Sequence, residues 1–172
     1  FFYARDNFIR TSSGQATDSS NERIMFYLNG TQYATLKSGE APWDIADYWP
    51  EKIVSTLAHE FQHMIHWAAD RNEETWLNEG FSELASYLNG FDVGGFDWVF
   101  AQDSDLQLNS WPDGPSSAGA NYGAAYLFTA YFLDRYGPEA TQALIAHQEN
   151  SFASFDAVLL DLDTDLTHED LY

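Results

Sequence analysis

Apolar residues cluster into several stretches long enough for helices. The longest is residues 50–69, "PEKIVSTLAHEFQHMIHWAA", where Pro50 suits the first turn of a helix running to about Ala69. "DRN" at 70–72 breaks it. A second helix is expected from about Glu73 or Glu79 through Leu88, closed by Asn89-Gly90. Residues 122–136, "YGAAYLFTAYFLDRY", are largely apolar and predict a third helix ending before Gly137-Pro138. A fourth is expected from Pro138 to about His147 and a fifth over 152–162. "THEDLY" at the end looks like a helix start, with Thr167 as cap and Asp170 three residues on. Before the first helix the pattern changes. "RIMFYL" (23–28) is a short strand candidate followed by the turn signal Asn29-Gly30. Residues 11–22 have a loop composition, 31–49 are mixed and aromatic-rich, and 90–120 read as a long loop with "FDWVF" as a local apolar patch. There is no internal repeat.

The first helix carries the chemistry. His59 and His63 are spaced i, i+4, so they lie about 40° apart on one helix face, as two imidazoles sharing one zinc must. Glu60 sits beside them, about 100° round from His59, where a base for a metal-bound water is wanted. His66 shares the face but stands roughly 10 Å along the axis from His59, too far for one zinc to bridge both. It reads as a histidine at the rim of the site or one that supports the ligands from behind. A pattern with a downstream histidine ligand fails, since Ala69 occupies the ligand position and His66 the glycine position. The second helix offers Glu79 and Glu83, again i, i+4. Glu79 can complete a two-histidine, one-carboxylate site with water in the fourth position, and Glu83 can hold the outer nitrogen of a ligand histidine.

Composition narrows the partners. The 172 residues suffice for one domain with a hydrophobic core; 45% are hydrophobic and 17% aromatic, which excludes a disordered chain. Seven Lys and Arg against 27 Asp and Glu give a formal net charge of −20, so nucleic acid and anionic lipid are poor partners. No apolar run approaches the roughly 20 residues of a membrane span. Without cysteine, no metal can be thiolate-bound. No signal peptide is visible, and "FFYARD" reads as the interior of a longer protein, one with room for an N-terminal propeptide. Asp161, Asp163 and Asp165 have calcium-loop spacing, but Leu166 and Tyr172 stand where that loop needs glycine and glutamate.

"HEFQHMIHW" followed by "ETWLNEGFSELA" resembles the gluzincins, the thermolysin-like zinc metallopeptidases, with Glu83 where thermolysin itself has aspartate. The wording is most similar to bacterial hyicolysin-like and immune-inhibitor-like secreted peptidases. The resemblance implies an α+β zincin-like fold over residues 1–172: a small N-terminal mixed sheet, a mainly helical lobe, and the active-site helix between them. It implies an extracellular zinc endopeptidase acting on protein or peptide substrates, with His59, His63 and Glu79 as zinc ligands and Glu60 as base. An oxyanion partner is expected from the lobe after the ligand helices, with Tyr122 the first candidate and Tyr126, Arg135 and His147 behind it. Calcium at an unassigned site suits an acidic secreted peptidase. Two rivals stand beside this reading. One is an aminopeptidase of the same clan, although no G-x-M-E-N-type stretch is present. The other is a catalytically silent, zinc-stabilised binding module.

Overall fold

The computed structural model describes residues 9–21, 23, 25–27, 50–112 and 118–171. Among them are five α-helices: α1 (Pro50–Ala69), α2 (Thr75–Leu88), α3 (Phe96–Gln102), α4 (Gly119–Ala146) and α5 (Phe152–Asp161). A 3-10 turn, His168–Leu171, follows. Asp170 accepts hydrogen bonds from the amide and hydroxyl of Thr167 at 2.8 and 3.1 Å, which is how that turn begins. No described helix is long and apolar enough to cross a membrane.

The expected α+β architecture is not found. Among the described residues there is no sheet; Arg10 and Ala16 form an isolated antiparallel bridge. Local bonds explain the outcome in this stretch. The Thr11 amide donates to the Gln15 carbonyl, and the Gln15 amide donates back to the Thr11 hydroxyl, closing a turn on itself. In the strand candidate 23–28, Phe26 carries a single bridge and no strand forms among the described residues. The Asn29-Gly30 turn and the aromatic-rich 31–49 lie outside the described residues. A helical fold with no sheet among the described residues also overturns the resemblance to gluzincins as a statement of family, because that architecture is built on a sheet beside the motif helix.

Helix α4 organises the core, with α2 and α3 packed along it and α5 against its far half. It starts at Gly119, before Tyr122, and is interrupted at Gly137, whose φ of 84° lies in the left-handed region open to glycine. Pro138 then restarts the helix where its missing N–H costs nothing. Trp76 anchors α2 in the core: its ring stacks on Phe155 at 6.0 Å and its Nε1 donates to Ser151 Oγ at 2.9 Å. Leu77, Phe81, Phe132, Leu144 and Leu159 fill the space around it.

Gly80 sets the spacing of α2 and α4. A Cβ there would stand 2.8 Å from the Ala125 carbonyl oxygen, so only glycine allows the helices this close. Thr129 Oγ1 donates to the Gly80 carbonyl at 3.1 Å across the same contact. The expected loop 90–120 contains α3. The "FDWVF" patch is this helix, and Phe96 stacks on Tyr122 of α4 with ring centroids 5.0 Å apart.

Against α2, helix α1 presents a polar face. Ser82 donates to Gln62 Oε1 at 2.7 Å, Ser86 donates to the Ser55 carbonyl at 3.3 Å, and His66 packs edge-on to Phe81. Val54, Leu57, Phe61 and Ile65, on its other side, are exposed. This polar helix–helix seam is where the candidate ligands lie.

Candidate metal centre

Two turns of α1 and the first turns of α2 bring His59, His63 and Glu79 together. Their inner atoms form a small triangle. His59 Nε2 and His63 Nε2 are 3.0 Å apart, and Glu79 Oε2 is 3.2 Å from the first and 3.4 Å from the second. Tetrahedral zinc with bonds of about 2.0 Å spaces its donors about 3.3 Å apart.

The outer nitrogens decide what the inner ones carry. His59 Nδ1 lies 3.2 Å from Glu83 Oε1, which can only accept when ionised. His63 Nδ1 meets Asn78 Oδ1, and Ser82 Oγ at 2.9 Å. Ser82 spends its own proton on Gln62, so it accepts from His63. The network therefore assigns the N–H of each neutral imidazole to Nδ1 and points both Nε2 lone pairs into the triangle. Glu79 Oε2, also in the triangle, is buried and has no hydrogen-bond partner. Three lone pairs at this range require a positive charge among them, a proton or a cation.

The electrostatics say the same. Burial works against a charged His59, yet the neighbouring carboxylates of Glu79 and Glu83 lift its pKa to about 9. Burial likewise opposes an ionised Glu79, but the two histidines bring it down to about 2. The residues present thus fit a divalent cation: two neutral nitrogens, one carboxylate, and an outer acceptor fixing each ring.

Glu60 is buried on α1 directly after His59. Tyr122 lies against the cluster from α4. Burial first, then the charges of Glu79, Glu83 and Glu60, raise its pKa well above the ordinary phenol range. Phe96 and Trp111 hold its ring, at 5.0 and 4.9 Å between centroids. The other oxyanion candidates lie elsewhere. Tyr126 is buried against Tyr87, Arg135 is exposed beside Tyr136, and His147 Nδ1 accepts from the Glu149 amide at the end of α4. His66 is no rim residue: it is fully buried. Asn78, Ser82 and Gln62 carry no role in the sequence reading, although the i, i+4 pair Asn78 and Ser82 was available as a signal.

Neither the acidic tail 161–165 nor residues 103–109 contribute to any convergent His, Asp and Glu group among the described residues. An apolar cleft lined by Phe100, Leu106, Leu108, Leu127, Phe128 and Phe152 includes none of the cluster residues.

What fold and site define together, over the described residues, is a helical arrangement with a half-buried His/His/Glu cluster capable of chelating a metal ion. No protein-family model matches the chain, and no curated protein matches it. The H-E-x-x-H spacing is present and helical, but with no sheet among the described residues it does not make the chain a gluzincin or mark it as a protease.

Proposed function

We propose that His59, His63 and Glu79 hold one zinc-type divalent cation and that the chain is a metal-stabilised binding module. The observation that carries this reading is the triangle of three acceptor atoms at 3.0, 3.2 and 3.4 Å with both outer nitrogens committed as donors. Two imidazoles and a carboxylate suit zinc better than calcium or magnesium, which favour oxygen alone. The ion joins α1 to α2 across a seam that buries little apolar surface on the α1 side, so its binding energy adds directly to folding. A three-residue site leaves a coordination position for water or for a donor atom of a bound ligand. With a net charge of −20, protein or peptide ligands are favoured over nucleic acid.

A second reading, metal-dependent hydrolysis of a peptide or related acyl bond, is favoured by Glu60 and Tyr122. A bound zinc-type ion supplies a water of lowered pKa. Glu60 is the buried carboxylate on the ligand helix that can accept a proton, and Tyr122 stays a neutral hydrogen-bond donor beside Glu79. The two readings share the metal and separate at Glu60. The test is zinc content by elemental analysis, paired with casein hydrolysis with and without chelator, for the parent chain and Glu60→Gln. The module reading expects one bound zinc at this cluster and no chelator-sensitive hydrolysis by either protein. Hydrolysis by the parent, slowed at least about 100-fold in Glu60→Gln, establishes the second reading instead. A chain that takes up no zinc contradicts both.

A further inference from the structure

A second set of side chains converges one turn further along α1. His66 is fully buried, and neither of its ring nitrogens has a hydrogen-bond partner. Asp70 follows at i+4, its amide donating to the His66 carbonyl at 2.7 Å, and is 3% exposed. Its Oδ1 accepts from the Asn72 amide at 3.4 Å, while its Oδ2 is buried with no partner. Glu73 is held by two backbone amides, Glu74 at 2.6 Å and Ser151 at 2.8 Å, both donating to Oε1. Its Oε2 is buried with no partner. Each carboxylate therefore has one oxygen anchored and one idle. One ligand atom from each of the three residues falls within 4.8 Å of the other two.

Buried polar groups are almost always paired, and three that converge unpaired point to a missing partner. We infer that His66, Asp70 and Glu73 form a second binding site for a divalent transition-metal ion, distinct from the His59 cluster. The chemistry suits such an ion. Two carboxylates balance a divalent charge, and the imidazole selects manganese, iron, cobalt, nickel or zinc over calcium and magnesium. Burial drives the His66 pKa down to about 4, so its lone pair is free at neutral pH. Burial also raises the Glu73 pKa, a penalty that a cation relieves. Glu73 is only half-buried, which leaves an approach from solvent. An ion here would tie the end of α1 to the turn before α2 and, through Glu73, to the loop entering α5.

A buried water or a proton shared between the carboxylates are the competing partners, and metal stoichiometry separates them. The probe is Co2+ alone, titrated into the chelator-stripped full chain and followed by calorimetry and by its visible absorption. The parent is expected to take up two equivalents. The double variant His59→Ala/His63→Ala is expected to keep one. Adding Asp70→Asn to that background, which preserves shape, is expected to weaken the remaining site by more than the 10- to 100-fold that loss of an outer partner costs. One equivalent in the parent and none in the double variant overturns the inference while leaving the first site standing. A remaining equivalent that Asp70→Asn does not affect also overturns it. Circular dichroism checks each variant's fold. Should Asp70→Asn unfold, anomalous diffraction from the cobalt-loaded parent decides: a peak among His66, Asp70 and Glu73 supports the site, and its absence refutes it.

Discussion

Replacing Gly80 with alanine tests how the fold positions the ligand Glu79. The new Cβ would meet the Ala125 carbonyl oxygen at 2.8 Å, its carbon at 3.0 Å and Thr129 Cγ2 at 3.1 Å. The first two are helix backbone and cannot rotate away, so α2 must back off from α4. Overpacking of this kind costs about 1–3 kcal/mol. Stretching the bond from Thr129 to the Gly80 carbonyl forfeits part of another, worth about 1 kcal/mol. Against this, alanine gains about 1 kcal/mol over glycine in helix propensity. The net is a loss of about 0.5–2.5 kcal/mol, which for a chain of this length lowers Tm by roughly 1 to 10 °C. Because Glu79 is the adjacent residue, the same shift displaces one corner of the triangle, and zinc affinity falls along with stability. Thermal unfolding of the metal-free chain followed by zinc titration reads both. A variant as stable as the parent, or more stable, refutes the close-approach argument.

Glu83→Gln should keep the metal but weaken it about 10- to 100-fold by calorimetry, since the anionic acceptor on His59 Nδ1 is lost. Zinc binding at pH 7 should release about one proton, seen as a buffer-dependent binding enthalpy, because the raised His59 pKa of about 9 keeps the empty site protonated; affinity should then rise about tenfold per pH unit toward pH 9. In the metal-free chain the His59 contribution to stability is full below its ordinary 6.5 and is lost as pH rises through about 9. The Glu79 contribution is present above its ordinary 4.5 and is lost as pH falls through about 2. Melting temperatures across pH should therefore show this cluster contributing most between about 4.5 and 6.5.

Helix positions were largely legible because α1, α2, the two halves of α4, and α5 each carry long apolar or punctuated segments. The i, i+4 spacing of His59 and His63 could be read directly, and so could the carboxylates of α2. Two things could not. Helix α3 hid in a Gly- and Asp-rich stretch because it is only seven residues long and forms by packing on α4, which no local pattern reports. The face α1 turns to α2 could not be read from hydrophobicity, since that face is polar and the apolar positions 54, 57, 61 and 65 are exposed. The same polarity hid the His66 group: Asp70 and Glu73 look like ordinary break residues after a helix until burial leaves one oxygen of each without a partner. The family resemblance drew on two local motifs, and motifs on neighbouring helices do not determine whether a sheet stands behind them.

The central claim is a single metal ion inside the His59, His63 and Glu79 triangle. Anomalous diffraction at the zinc edge, from crystals of the full chain grown with zinc, tests it most directly. The account predicts a peak about 2.0–2.2 Å from His59 Nε2, His63 Nε2 and a Glu79 oxygen, with His59 Nδ1 still on Glu83 and His63 Nδ1 still on Asn78 and Ser82. A zinc-soaked crystal with no density in the triangle, and the His59 and His63 rings turned away from it, would contradict the account.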